Sequence, residues 1–313
     1  MAATAKNRLG YLSIDTMPSV YSRTFDKIVV KDSMVPREMS RFFREEDTNL
    51  KDYKEGELMS VLDTPAENRD SDRIPLLSPL EGYSKTITNV RRRSGFIIPR
   101  EAIEEQKTRK ISQTLTGLPN SAKRLEELLM ATIFNGGFDS ETTGDGSYLF
   151  AADHYYEDPT YGQWTNTGTG SAFTTSAFLS AWTNMQNRKD PKGLPDFKVP
   201  ATVFYPVGIH EDVMKVHGSD KYPDNSLNAK MPELFGAFEP VLGHYLTDAN
   251  AWFVQAKEDD NDKGLVKVWQ TRPEYKKIED PMNPDMVLGR RLRMSMGVGA
   301  IHGRGWYGNQ GAS

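Results

Sequence analysis

The chain has 313 residues, a formal net charge of −4 and no cysteine, which excludes disulfides, thiolate catalysis and cysteine-ligated zinc and argues against a protein that coats nucleic acid over its whole surface. With 37% hydrophobic and 26% charged residues, it has enough apolar material for a substantial core and leaves polar arms for solvent or a partner. No apolar run approaches the ~20 residues that span a bilayer, and Met1–Gly10 lacks the apolar core of a signal peptide, so no membrane partner is expected and the chain is expected to stay inside the cell that makes it.

Residues 1–55 mix charge with scattered apolar residues such as Ile14, Phe25 and Val29 and hold no period, which predicts an extended arm that gains order on a partner surface. Two strand-like stretches follow, Gly56–Leu62 and Gly82–Ile98, around a polar segment at 65–73. They read as a long hairpin over 56–98 that needs a neighbour to lie on, because a lone two-stranded ribbon is marginal in water. Arg91, Arg92 and Arg93 form a basic run within it, suited to a solvated face, to nucleic acid or to the acidic surface of another subunit.

From Pro99 to Phe138 the pattern is helical. Glu101, Glu104 and Glu105 precede Lys107, Arg109 and Lys110, the order that a helix dipole favours. Ala122, Leu125, Leu128, Leu129, Thr132 and Ile133 recur at spacings of three and four, and Gly136 and Gly137 stop the run. Unbroken, it is a rod of roughly 55 Å. Gly117 and Pro119 predict a division into a charged lead-in, Glu101–Leu115, and a packed helix, Ser121–Asn135, with Asn120 or Ser121 as N-cap.

Asp139–Gly170 is polar, glycine-rich and aromatic. Thr174 or Thr175 then caps a short helix bearing Phe178, Ala181, Trp182 and Met185. Asp190, Pro191, Gly193 and Pro195 end it, and the composition shift there suggests a subdomain boundary. Beyond it come a buried strand at Val199–Tyr205, a helix at Ile209–His217, a loop at Gly218–Ala229, a strand at Trp252–Ala256, an acidic turn at Glu258–Gly264 and a strand at Leu265–Gln270. The last two strands are expected to form a hairpin at the rim of an α+β subdomain. Met286–Ile301 reads as a long strand with one wet face.

Chemistry is scarce. Counted as a calcium loop from Asp259, the acidic turn has Gly264 in sixth place but Gln270 where a bidentate Glu is needed. The histidines at 154, 210, 217, 244 and 302 are dispersed, with no helix-borne pair of the zinc-protease kind. Asp153 beside His154 invites an acid–base reading, yet adjacent residues point apart and no nucleophile is placed beside them; a loop-anchoring role suits His154 better. Gly297, Gly299, Gly303 and Gly305 do not open a helix after a strand as a phosphate loop must, and instead suit close packing or a twist. No catalytic, cofactor-binding or metal-binding residue is assigned, and no cofactor is expected.

Three stretches, in this order and spacing, resemble the major capsid proteins of tailed bacteriophages, which share the Hong Kong 97 fold. They are Asp145 and Gly146 through Leu149, Phe150, His154, Trp164 and Asn166; Asn225–Asn228 with Leu246–Phe253; and Ile301 with Gly303–Asn309 and Gly311. The resemblance implies an α+β fold with an N-terminal arm at 1–55, an extended β-hairpin loop (E-loop) at 56–98, a peripheral domain with a spine helix at 99–195, an axial domain at 196–267 and a return to the peripheral domain at 268–313. It implies a structural protein that assembles through pentamers and hexamers into an icosahedral shell around double-stranded DNA, contacted non-specifically. It also implies a portal and a decoration protein as further partners, and a place in the virion capsid after assembly in the host cytoplasm. Since no heptad run is present, a separate scaffolding protein or a trimmed start is expected. Some members link a loop lysine to an asparagine, and Lys85 is the matching donor. Two other readings stay open: an encapsulin-like nanocompartment shell around a cargo enzyme, and a hydrolase using Asp153 and His154.

Overall fold

The computed structural model describes residues 35–59, 80–99, 108–190, 193–218, 238–257, 263–278 and 286–311. The expected arm before residue 35, the polar segment 65–73, the helical start at 101–107, the loop at 219–229 with its Asn225–Asn228 stretch, and the acidic turn at 258–262 lie outside the described residues. In chain order the strands are β1 (Arg44–Asp47), β2 (Asp52–Met59), β3 (Leu80–Thr88), β4 (Val90–Pro99), β5 (His154–Tyr155), β6 (Gln163–Trp164), β7 (Pro200–Pro206), β8 (Glu239–Gly243), β9 (Trp252–Ala256), β10 (Leu265–Ile278), β11 (Met286–Ala300) and β12 (Trp306–Asn309). The helices are α1 (Thr108–Asn135), α2 (Thr175–Gln186) and α3 (His210–His217).

The chain divides into two compact units. Unit 1 takes Val90–Glu126 and Trp269–Met296, and unit 2 takes Arg37–Asn89, Glu127–Val268 and Gly297–Ser313. Unit 2 is built on a sheet ordered β12-β9-β7-β8. β7 runs parallel to β8 and antiparallel to β9, and β12 runs antiparallel to β9. β9 is buried throughout and β7 nearly so, as the apolar runs in both strands require of a sheet covered on each face. Side chains alternate between the two faces. Val203, Tyr205, Trp252 and Val254 pack with Phe178 of α2 and Val213 of α3. Phe204, Phe253 and Trp306 pack with Phe134 of α1 and with Phe42. Phe134 is the hub of the second layer, with ring centroids 5.1 Å from Phe204, 5.3 Å from Phe253 and 5.0 Å from Trp306.

The stretch read as a free arm is therefore partly structural. Met39 and Phe42 are fully buried, and Glu127 of α1 holds them: its Oε2 accepts the backbone N–H of Met39 at 2.8 Å and of Glu38 at 3.2 Å, and its Oε1 accepts the Ser40 hydroxyl at 3.3 Å. Apolar residues without a period gave no signal of a cover that a single carboxylate fastens.

α1 runs unbroken through Pro119, so the expected division at Gly117–Pro119 does not occur. Proline lacks one N–H, and the loss of that single bond is outweighed where Leu118, Pro119 and Ala122 are all buried. Asn120 and Ser121 are interior residues rather than caps, and the Ser121 hydroxyl donates to the Leu118 carbonyl at 2.7 Å. Pro99 ends β4 instead of opening a helix. Gly136 and Gly137 do terminate α1, their N–H groups bonding back to Thr132 and Phe134. The cap of α2 is Thr174, whose hydroxyl accepts the Ala177 N–H.

The stretch Gly82–Ile98 is two strands, not one. β3 pairs antiparallel with β2 from Thr88↔Asp52 to Leu80↔Met59. After Asn89, β4 pairs with β11 from Val90↔Met296 to Pro99↔Met286. β9 and β10 form no hairpin: β9 lies in the β7 sheet, and β10 lies between β1 and β11. A turn rich in acids and glycine fits a hairpin and a sheet-to-sheet crossing equally well. Leu265–Gln270, the second half of the calcium-loop count, belongs to β10. Of the expected wet face of the terminal strand, the described side chains show Arg291 exposed and Arg293 partly so, between buried Leu292 and Met294.

Replacing Glu127 by Ala strands the buried Met39 N–H. Unit 2 is expected to lose about 1–3 kcal/mol, read as a fall in the urea unfolding midpoint, with faster amide exchange over 38–43. Unchanged exchange there refutes the fastening role.

Candidate functional site

The described residues of the first and third stretches that carry the family resemblance meet in unit 2, where buried polar groups tie loops together. Asn166 is fully buried. Its Oδ1 accepts the Ala151 N–H at 2.8 Å, its Nδ2 donates to the carbonyls of Leu149 at 2.6 Å and Gly303 at 3.3 Å, and its own carbonyl accepts the Gly308 N–H at 2.9 Å. The side-chain amide thus joins the loop after α1 to the turn before β12, and the main-chain carbonyl reaches β12 itself. Gly303 allows it, for a Cβ there would sit 2.6 Å from Asn166 Nδ2 and 2.8 Å from the Leu149 carbonyl oxygen.

Beside this knot, His154 is 1% exposed. Its Nδ1 lies 2.7 Å from Asp145 Oδ2, and its ring stacks on Trp164 with centroids 4.3 Å apart and an interplanar angle of 16°. The guanidinium groups of Arg188 and Arg304 stand 5.3 and 5.6 Å from the same indole. Arg304 bonds both carboxylate oxygens of Glu157 at 3.0 Å, and Arg188 donates to the Arg304 carbonyl. Burial pushes the Asp145 carboxyl up, but hydrogen bonds from His154 and Thr143 outweigh it and hold the group below its ordinary range.

This arrangement lacks the parts of a hydrolase. Asp153 is exposed and His154 buried, as neighbours in an extended chain should be, so the histidine's partner is Asp145 and not Asp153. The Thr143 hydroxyl donates to Asp145. The cavity bordering the pair, lined also by Tyr83, Glu157 and Arg304, has about 10 Å³, room for roughly one water. Spacing could not have found Asp145: nine residues separate it from His154, and only the turn at 143–147 brings them together. Lys85 is also engaged within the chain. It is mostly buried, its ammonium donates to the Thr142 carbonyl, and burial lowers its pKa against the pull of Glu141.

The features that face outward are of another kind. Leu194, Phe197 and Val199 are 41%, 79% and 46% exposed and follow a tight turn. There the Asp190 N–H bonds the Leu194 carbonyl at 2.7 Å, Asp190 Oδ1 accepts the Leu194 N–H at 2.8 Å, and Gly193 takes a φ of +80°. Three exposed apolar side chains thus fall within six residues at and just after this turn. On unit 1, Arg91 and Arg93 are exposed along β4, where sequence alone left their role open.

Asp145 contributes stability above its unfolded pKa of about 3.9, and that contribution is lost as pH falls toward its lower folded value. Asp145→Asn is therefore expected to lower stability by about 1–3 kcal/mol at pH 7, with the gap from the parent protein shrinking below about pH 4. Thermal midpoints across that range check it, and a gap independent of pH refutes the assignment.

Among curated proteins none matches the sequence. Among solved structures, the capsid of the empty GTA particle aligns with a TM-score of 0.52 at 8% identity, covering 90% of this chain and 94% of that one. The capsid of bacteriophage JBD30 decorated with minor capsid protein trimers aligns at 0.51 and 13% identity, over 70% and 93%. The JBD30 procapsid aligns at 0.50 and 13% identity, over 94% and 74%. At such identities the likeness is one of fold. The phage capsid protein family model matches residues 84–309, well over half of the sequence: the chain belongs to the phage capsid protein family, as a structural major capsid protein of the Hong Kong 97-type fold and not an enzyme.

Proposed function

We propose that this chain forms the icosahedral shell of a tailed-phage head by assembling through pentamers and hexamers around double-stranded DNA. The family match over 84–309 carries the reading. In the family's terms the arm is 1–55, the E-loop 56–98, the peripheral domain with its spine helix 99–195, the axial domain 196–267, and the return to the peripheral domain 268–313. These limits follow the family architecture and differ from the two compact units, which follow packing. The β2–β3 ribbon supports the E-loop. The 28-residue α1, roughly 42 Å long at 1.5 Å per residue, supports the spine. The proposed partners are further copies of the chain, a separate scaffolding protein, a portal, a decoration protein and the packaged DNA, with assembly in the host cytoplasm.

Subunits of this kind need no reaction chemistry. They need surfaces that are modest singly and sum over a closed shell, and the turn bearing Phe197 is suited to one such contact. Expression of the full chain with its scaffolding protein should give capsomers or shells in negative-stain micrographs and sedimentation. A monomer at high concentration in all salts overturns the proposal, and shells filled with a cargo enzyme in place of DNA point to a nanocompartment. Phe197→Ser should cut shell yield about tenfold, as loss of one interface anchor does, while leaving the monomer's thermal midpoint in place.

A further inference from the structure

The two paired strands of unit 1 are strongly cationic. β4 (VRRRSGFIIP) and β11 (MVLGRRLRMSMGVGA) each carry three arginines and no acid, in a chain where acids outnumber bases by 43 to 39. The register sorts these arginines. Arg93 lies directly opposite Arg293, Arg91 opposite Ser295 and Arg291 opposite Gly95. Paired residues share a face and alternate residues change face, so Arg91, Arg93, Arg291 and Arg293 stand together. The other side carries Arg92, bonded to the carbonyls of Val90 and Met296, and buried Leu292 and Met294.

Like charges directly opposite one another destabilise a sheet. Among the described residues none of the four arginines has an ion-pair partner within 4.0 Å; the nearby carboxylate of Glu274, already paired with Lys276, supplies only a weaker attraction to Arg291 and Arg293. Four guanidinium groups staggered along two paired strands, about 7 Å apart along each and only weakly offset by Glu274, call for an anion of repeating charge. Guanidinium forks bind phosphate oxygens bidentately.

We infer that this arginine face binds the phosphate backbone of nucleic acid without regard to sequence, and is the surface that this chain turns toward the DNA enclosed by the shell. The second clause rests on the proposed function; the first does not. Among the described residues the face lies on an edge strand of its sheet, β4, together with that strand's neighbour, and Arg91, Arg93 and Arg291 on it are exposed. Most of the remaining chain is neutral or acidic, so the face holds the DNA locally and does not condense it over the whole surface.

The test is binding of a short fluorescent DNA duplex to the full-length protein between about 50 and 200 mM salt, with shell assembly followed in parallel by sedimentation. Changing Arg91, Arg93, Arg291 and Arg293 together to Gln should weaken duplex binding by tenfold or more and reduce the slope of log affinity against log salt by about 3 to 4, at roughly 0.9 for each phosphate that the variant no longer neutralises. Should that variant not fold, Arg91→Gln with Arg93→Gln alone should reduce the slope by about 2. The corresponding lysine variant should keep most of the slope, since the charges remain. Unchanged duplex affinity and slope in the glutamine variants overturns the inference. So does loss of assembly with duplex binding intact, which makes the face a docking surface for an acidic patch of another subunit. A parent chain that binds duplex through these arginines but never forms shells overturns the head proposal and leaves the phosphate site standing.

Discussion

In unit 2 the central strands β7 and β9 have no wet face, and a sheet buried on both sides must be covered twice. α2 and α3 cover one side. On the other, Phe204, Phe253 and Trp306 meet Phe134 and Phe42 in edge-on and tilted ring contacts 4.9–5.3 Å between centroids. α1 supplies only part of this second cover, which is why the stretch around Met39 and Phe42 is drawn in and why Glu127 is fully buried. The carboxylate satisfies backbone N–H groups that would otherwise be left dry when the cover closes.

The loops around this core pose a different problem. A chain crossing the surface of a core at 142–170 and again at 301–311 brings many backbone polar groups out of water, and each needs a partner. Asn166 meets several of them with one side chain. His154, Asp145 and Thr143 form one linked set, and Glu157 with Arg304 forms another, with His154 and Arg304 both against Trp164. Such buried charged groups fix geometry more than they add stability, because desolvation consumes much of their attraction. They hold loops in register in a protein whose work is done by shape.

Local patterns could be read wherever local physics decides. The threonine cap and apolar face of α2, the apolar run of β9 and the length of β11 were all legible. The resemblance marked Asn166, Gly303 and Gly308 as family positions, and the structure supplies the reason in the close approach of backbone segments far apart in sequence. What could not be read was settled by tertiary context. Pro119 breaks a solvated helix, yet here its turn is buried. The turn between β9 and β10 carries the composition of a hairpin, while the strands' partners, β7 and β11, are chosen by burial elsewhere. His154 pairs with a carboxylate nine positions away that no spacing rule connects to it, in place of the neighbour that the sequence offers.

The outward surfaces differ from this core in how they are held. The apolar residues at 194–199 begin on a turn closed by bonds between Asp190, Gly193 and Leu194, and a pre-closed turn leaves less conformational freedom to lose on association. The arginine face is also built in advance, by the register of β4 on β11, and the repulsion between Arg93 and Arg293 remains until an anion covers it. Neither surface shares a residue with the aromatic layers that hold unit 2 together. Changes at these outward surfaces can therefore tune how the subunit associates without disturbing the aromatic layers of unit 2, and removing one of the facing arginines relieves repulsion in unit 1 besides.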